Sequence, residues 1–267
     1  MKNIIKILCL LMGTCITLIA QENEKQKSIL FETGLNYQTI LESRFTTNAK
    51  NYLGFHTGIN METVQANRTS NMAFEFSKNI LRDKYYVDFI HLNCSLIYTQ
   101  FRTLPSKTLK VGGYIDQRTS LSFPTGAWAT NNSISYTLWL GSGVAVQGTK
   151  SITIKNRNVT LEFAGSLPLL SYVIRPAYAH PYTESFLEDG TFDFTLKGMW
   201  KSFFTAGKWR TLNSFMNAKT KVGLVFPVGK KANQVGVHYA WEYLQVGNNR
   251  PVWQTQHRLS LTYKLFR

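Results

Sequence analysis

The chain has 267 residues, a length that holds one large domain or two small ones. Hydrophobic residues make up 44%, too few for a bundle of membrane helices, while aromatics reach 13%, with 13 Tyr, 17 Phe and 6 Trp. The net charge of +15 comes from Lys and Arg scattered along the chain, with no run longer than two, a pattern that argues against nucleic acid as a partner.

The first twenty residues form a unit of their own. Lys2 and Lys6 precede an apolar run from Ile7 to Ala20, and Gln-Glu-Asn-Glu follows. This layout predicts a cleaved secretory signal over 1–20, cut between Ala20 and Gln21, with 21–267 as a single domain. Cys9 follows Leu8 and Cys15 follows Thr14, neither of them the small residue that a lipidation site needs before its cysteine. Cleavage would leave Cys94 alone, which excludes a small disulfide-stapled scaffold.

Beyond residue 21 the hydrophobic period is two. The first segment supplies Ile29, Phe31, Leu35 and Tyr37 on one parity; later ones supply Met72, Phe74 and Phe76, then Ile90, Leu92, Leu96 and Tyr98. The stretch between Arg118 and Lys150 is free of charge but carries Pro124, Gly126, Asn131 and Asn132, so it reads as a loop and a strand, not a helix. Phe192, Phe194, Leu196 and Trp200 alternate against Asp193, Thr195, Lys197 and Lys201. Val222, Leu224, Phe226 and Val228 follow, then Val235, Val237, Tyr239, Trp241 and Tyr243. A face that is apolar on nearly every segment predicts strands between lipid and water, in an all-β, antiparallel transmembrane barrel.

The segments fall near 27–42, 50–61, 70–80, 84–101, 107–118, 131–147, 150–164, 190–204, 208–216, 219–229, 233–246 and 253–266. That makes twelve strands, with ten as the alternative if 208–216 is not a strand. With the first strand rising, short periplasmic turns are expected at 102–106, Gln147–Lys150, Ala206–Lys208 and Gly229–Asn233. The long connections near 117–130 and 165–190 are expected outside.

The chain ends Leu259-Ser-Leu-Thr-Tyr-Lys-Leu-Phe-Arg, with Phe266 off the apolar parity and Arg267 after it. This ending resembles the closing strand that barrel-assembly machinery recognises, and with Ala20-Gln21 the chain resembles Bacteroidota-type outer-membrane β-barrel proteins. The resemblance is to a general pattern and carries no catalytic motif. It implies a bacterial outer-membrane location, with outer-membrane lipids around the barrel; another envelope protein is a further candidate partner, suggested by the charged lumen and the long apolar segment at 165–190.

Inward parity gives Glu32, Asn36, Glu75, His91, Asn93, Lys110, Asp116, Asp193, Lys197, Lys201, Lys219, Lys221, His238, Glu242 and Arg258. Lys219, Lys221, Glu242, Arg258 and His238 are the candidate lumen charge network, with Glu242 expected opposite Arg258 and a lysine on its other side. Such a bridge is either structural pairing of buried charge or a selectivity site. The apolar segment 165–190, restrained by Pro168, Pro176 and Pro181, is the candidate plug or docking loop, with Tyr172, Arg175, Tyr178 and His180 as its contact residues.

No cofactor, metal site or catalytic residue is assigned. His91 and Ser95 are about 13 Å apart along a strand, beyond hydrogen-bond reach. The expected role is a non-enzymatic narrow pore or an anchor in a cell-envelope complex. A surface lipid hydrolase or acyltransferase is one alternative, requiring a Ser or Asp beside His56, His91 or His238. A soluble periplasmic β-sandwich binding protein is the other.

Overall fold

The computed structural model describes residues 26–42, 49–65, 67–82, 88–106, 108–124, 135–154, 157–174, 207–229, 233–247 and 252–266. They form strands β1 (Gln26–Glu42), β2 (Lys50–Gln65), β3 (Arg68–Arg82), β4 (Asp88–Thr103), β5 (Leu109–Pro124) and β6 (Ser135–Ile154). The rest are β7 (Arg157–Ile174), β8 (Gly207–Thr211), β9 (Phe215–Val228), β10 (Asn233–Val246) and β11 (Val252–Phe266). All pairings are antiparallel; they join chain neighbours except that β7 also pairs with β9 and β1 with β11, so the sheet closes on itself. No described helix is long and apolar enough to cross a membrane.

The wall has ten positions, not twelve. β8 pairs with Leu170–Ile174 of β7 and β9 pairs with Thr160–Ser166 of the same strand. The two therefore lie in line along one edge of β7, interrupted by a turn at Leu212–Ser214. The expected segments 208–216 and 219–229 thus share one position. The expected strand 190–204 lies outside the described residues, and the ring closes without it because Ile174 pairs directly with Gly207.

Two other expectations are corrected. The turn expected at Gln147–Lys150 is interior to β6, which runs on to Ile154 before returning at β7. A ring from Phe163 lies against Gly148, where an added Cβ would come within 2.0 Å of it, so this glycine makes room for an aromatic and does not mark a turn. The loop expected from 165 is strand as far as Ile174. Pro168 sits beside the register shift at Ser142/Gly143 and between the stretches of β7 that pair with β9 and β8. A residue with no N–H to give is tolerated at such a break in the ladder.

One end of the barrel has short connections, at 66–67, 104–108, 155–156 and 229–232; the other carries the longer ones, including 175–206. Short turns face the periplasm in outer-membrane barrels. Passing from Gln26 through successive register partners round the ring returns to β1 at Gln38, a stagger of twelve residues. Ten strands ~4.8 Å apart and tilted roughly 40° make a backbone cylinder of radius about 10 Å. Inward side chains can fill that width.

The two faces of the wall differ sharply. Leu35 and Leu53 are 63% and 62% exposed on the outside, whereas Asn36, Gln38 and Asn79 are 0% exposed inside. On β11 the outward apolar positions run from Trp253 to Tyr263. At ~3.3 Å per residue and a tilt of roughly 40°, that stretch spans about 25 Å of height, the thickness of an outer-membrane apolar belt. A water-soluble sandwich would not expose such a belt, so that alternative is overturned.

Candidate functional site

The interior is layered. Along β1, from the long-loop end downward, the inward residues are Ile40, Gln38, Asn36, Glu32 and Ser28; along β10 they are Leu244, Glu242, Ala240 and His238. The top layer is apolar, with Ile40, Tyr52, Trp139, Phe215, Leu244 and Val252 gathered into one buried cluster. Trp139 and Phe215 meet edge to face with ring centres 5.9 Å apart. Six strands thus send large side chains inward at one level, closing the bore from the long-loop side.

Under the plug runs a chain of amides. Gln256 Nε2 donates to Asn36 Oδ1 at 2.8 Å, Asn36 Nδ2 to Asn79 Oδ1 at 2.8 Å, and Asn79 Nδ2 to Gln38 Oε1 at 2.7 Å. Burying amides is tolerated when they satisfy one another in this way.

The next layer is ionic. Arg118 Nη1 pairs with Glu242 Oε1. Lys219 Nζ lies 2.6 Å from Asp116 Oδ2, Lys221 Nζ 2.6 Å from Glu32 Oε2, and Arg258 Nη1 2.8 Å from Glu75 Oε2. Ser260 Oγ donates to Glu32 Oε1 at 2.7 Å, and His56 Nε2 stands 3.6 Å from the same oxygen. Charge inside so narrow a bore must be paired, because an isolated ion there would lose its hydration without recompense.

The short-turn end is roomier. A cavity of about 250 Å³ opens there, lined by Glu32, Asn60, Glu62, Glu162, His238 and Lys264 among others. Lys264 Nζ pairs with Glu62 Oε2, Ser28 Oγ donates to the same carboxylate oxygen at 3.2 Å, and His238 Nε2 lies 3.4 Å from Glu162 Oε2.

Lys219, Lys221, Glu242, Arg258 and His238 all face this lumen, but their partners are not the expected ones. Glu242 stands opposite Gln256, and Arg258 opposite Ala240, so the hairpin does not join them. Glu242 is held by Arg118 from β5 and Arg258 by Glu75 from β3. Lys219 is the register partner of Glu242 yet reaches Asp116. Cross-barrel partners follow from stagger and closure, which no single hairpin reveals. Arg118, Glu62, Glu162 and Lys264 were missing from the inward set, although Arg118 shares the parity of Asp116 two residues earlier.

Of the candidate docking residues, Tyr172 belongs to β7 and not to a loop; it is 8% exposed, with its ring 5.1 Å from that of Trp209. Arg175, Tyr178 and His180 lie outside the described residues, as do Asp193, Lys197 and Lys201.

A serine does stand beside a histidine: Ser120 Oγ is 3.2 Å from His91 Nε2, across the β4–β5 pairing. Both are buried, and Nδ1 of His91 has no partner among the described residues. Among the described residues the pair has no acid to orient the histidine, and it faces the filled lumen instead of the lipid where an acyl ester would lie. Among the described residues no group of three or more His, Cys, Asp or Glu is placed to hold a metal.

No protein-family model and no curated protein matches the chain. Among solved structures it is similar to the translocator domain of the autotransporter NalP from Neisseria meningitidis, at 9% identity and a TM-score of 0.40, over 98% of this chain and 97% of that one. It is also similar to Ail, the attachment invasion locus protein of Yersinia pestis, at 9% identity and a TM-score of 0.34, over 90% of this chain and 99% of that one. The closed wall, outward apolar belt and polar, ion-paired interior make this chain a barrel of a bacterial outer membrane.

Proposed function

We propose that the chain is a non-conducting outer-membrane barrel that anchors a cell-envelope partner. The observation that carries this reading is the occluded lumen: an apolar plug, an amide chain and a layer of paired charges stacked across the bore. A pore needs a continuous wet path, and here inward side chains from different strands pair with one another across the bore. The partner would be held at the long-loop end, where residues 175–206 both leave and rejoin the wall through the Ile174–Gly207 pairing.

The test joins conductance to copurification. Purified chain in a planar bilayer is expected to give no sustained conductance steps. Mild-detergent extraction is expected to bring down a specific envelope protein that is lost when residues 177–205 are replaced by a short Gly-Ser linker. Steady ohmic channels from the unaltered chain would overturn the reading, as would copurification indifferent to that replacement.

A further inference from the structure

We infer that the outer wall of β3–β5, at the short-turn edge of the belt, holds one anionic glycerophospholipid of the periplasmic leaflet. Its phosphate would lie between Arg68 and Arg102, and an acyl chain in the groove above them.

Arg68 and Arg102 are register partners across the β3–β4 pairing, and both are exposed on the outward parity. Side chains directly opposite on one face stand close together, and two like charges so placed repel. Neither arginine has an acidic partner among the described residues, unlike the lumen cations, which are paired. The backbone beneath them is fixed by the ladder and by the Thr103 N–H donating to Asn67 O at 3.1 Å. Two guanidinium groups carried on directly opposed positions at headgroup depth can both reach the oxygens of one phosphate.

The groove supplies the second half of the site. A depression of about 630 Å³ runs along the outside, bounded by both arginines and lined by Tyr98, Val111, Ile115 and the backbone of Gly113. It exists because Gly113 has no side chain on the lipid side: an added Cβ would meet only Gly143 O, at 3.6 Å. A notch with apolar sides leading down to two unneutralised cations has the polarity of a phospholipid, tail above and phosphate below. The short turns put this edge at the periplasmic leaflet, which is built of glycerophospholipids.

Full-length chain purified in nonionic detergent would be mixed with phosphatidylglycerol or with phosphatidylcholine of the same acyl chains, and retained lipid counted by native mass spectrometry. Gel mobility without boiling checks that each variant is folded. The unaltered chain is expected to keep one phosphatidylglycerol in preference to phosphatidylcholine. Arg68→Gln or Arg102→Gln should weaken that retention about fivefold, and both together about thirtyfold at low salt. Gly113→Leu adds a Cβ that makes only an ordinary contact with Gly143 O and should reduce retention of both lipids while the barrel stays folded. Equal retention of the two lipids by the unaltered chain overturns the proposal, as does an unchanged preference in the double variant. Retention unaffected by Gly113→Leu overturns the groove, and complete displacement of the retained phosphatidylglycerol by millimolar inorganic phosphate reduces the site to a simple anion contact, also against the proposal.

Discussion

Replacing Glu242 by Gln puts the ionic layer to a quantitative test. Glu242 is 1% exposed and its partner Arg118 is 3% exposed, so the substitution leaves a guanidinium that water cannot reach. Removing one member of a buried pair costs about 3–5 kcal/mol. The lower end applies here, because Asp116 lies two residues from Arg118 on the same face and can take part of the charge, even though Lys219 already holds it at 2.6 Å. A loss of about 3 kcal/mol is therefore expected. Unfolding in urea from lipid vesicles, followed by tryptophan fluorescence, reads it directly, since Arg118 stacks 5.0 Å above the ring of Trp139. The companion change Arg118→Met should cost a similar amount alone, and the double variant should recover most of both losses, because no unpaired charge then remains. A Glu242→Gln protein within about 1 kcal/mol of the original would refute the reasoning, as would a double variant equal to the sum of the singles.

Three further outcomes follow from the same geometry. Trp139→Ala with Phe215→Ala removes the edge-to-face pair at the plug and should turn a silent barrel into one with measurable bilayer conductance; continued silence would mean that the lower layers seal the bore without it. Gly34→Val places a Cβ about where Leu259 O stands, 2.1 Å away, so the β1–β11 closure should fail and the heat-modifiable band disappear from gels; an unaffected band contradicts the close approach there. Cys94, half-buried on the outward parity between Leu92 and Leu96, should react in vesicles with a lipid-soluble maleimide and resist a sulfonated one, whereas fast sulfonated labelling would put β4 in water.

The belt was legible in the sequence because a strand between lipid and filled lumen has to alternate, and β10 and β11 do so from Val235 to Tyr243 and from Leu259 to Leu265, with the small Ala240 the one apolar side chain turned inward. Strand ends were not, because Gly148 and Pro168 have the chemistry of turns yet serve the interior of strands, one beneath a phenyl ring and the other at a gap in the ladder. The expected division at 217–218 falls inside β9, while the real interruption at Leu212–Ser214 falls inside the expected segment 208–216, so two segments that share one wall position read as two neighbouring strands. Inward parity placed Glu242 and Arg258 in the lumen but could not supply their partners, which depend on the twelve-residue stagger accumulated round the whole ring.

That interrupted position has a mechanical consequence. The β1–β11 junction, where the first and last described strands meet, is sewn by fifteen register pairs, whereas β7 meets its neighbours on the other side through seven pairs to β9 and five to β8, with a break between. A cylinder pulled sideways tears where its stitching is shortest. Under lateral load this wall will part beside Pro168, on a strand separated from the β1–β11 closure by β9 and β10.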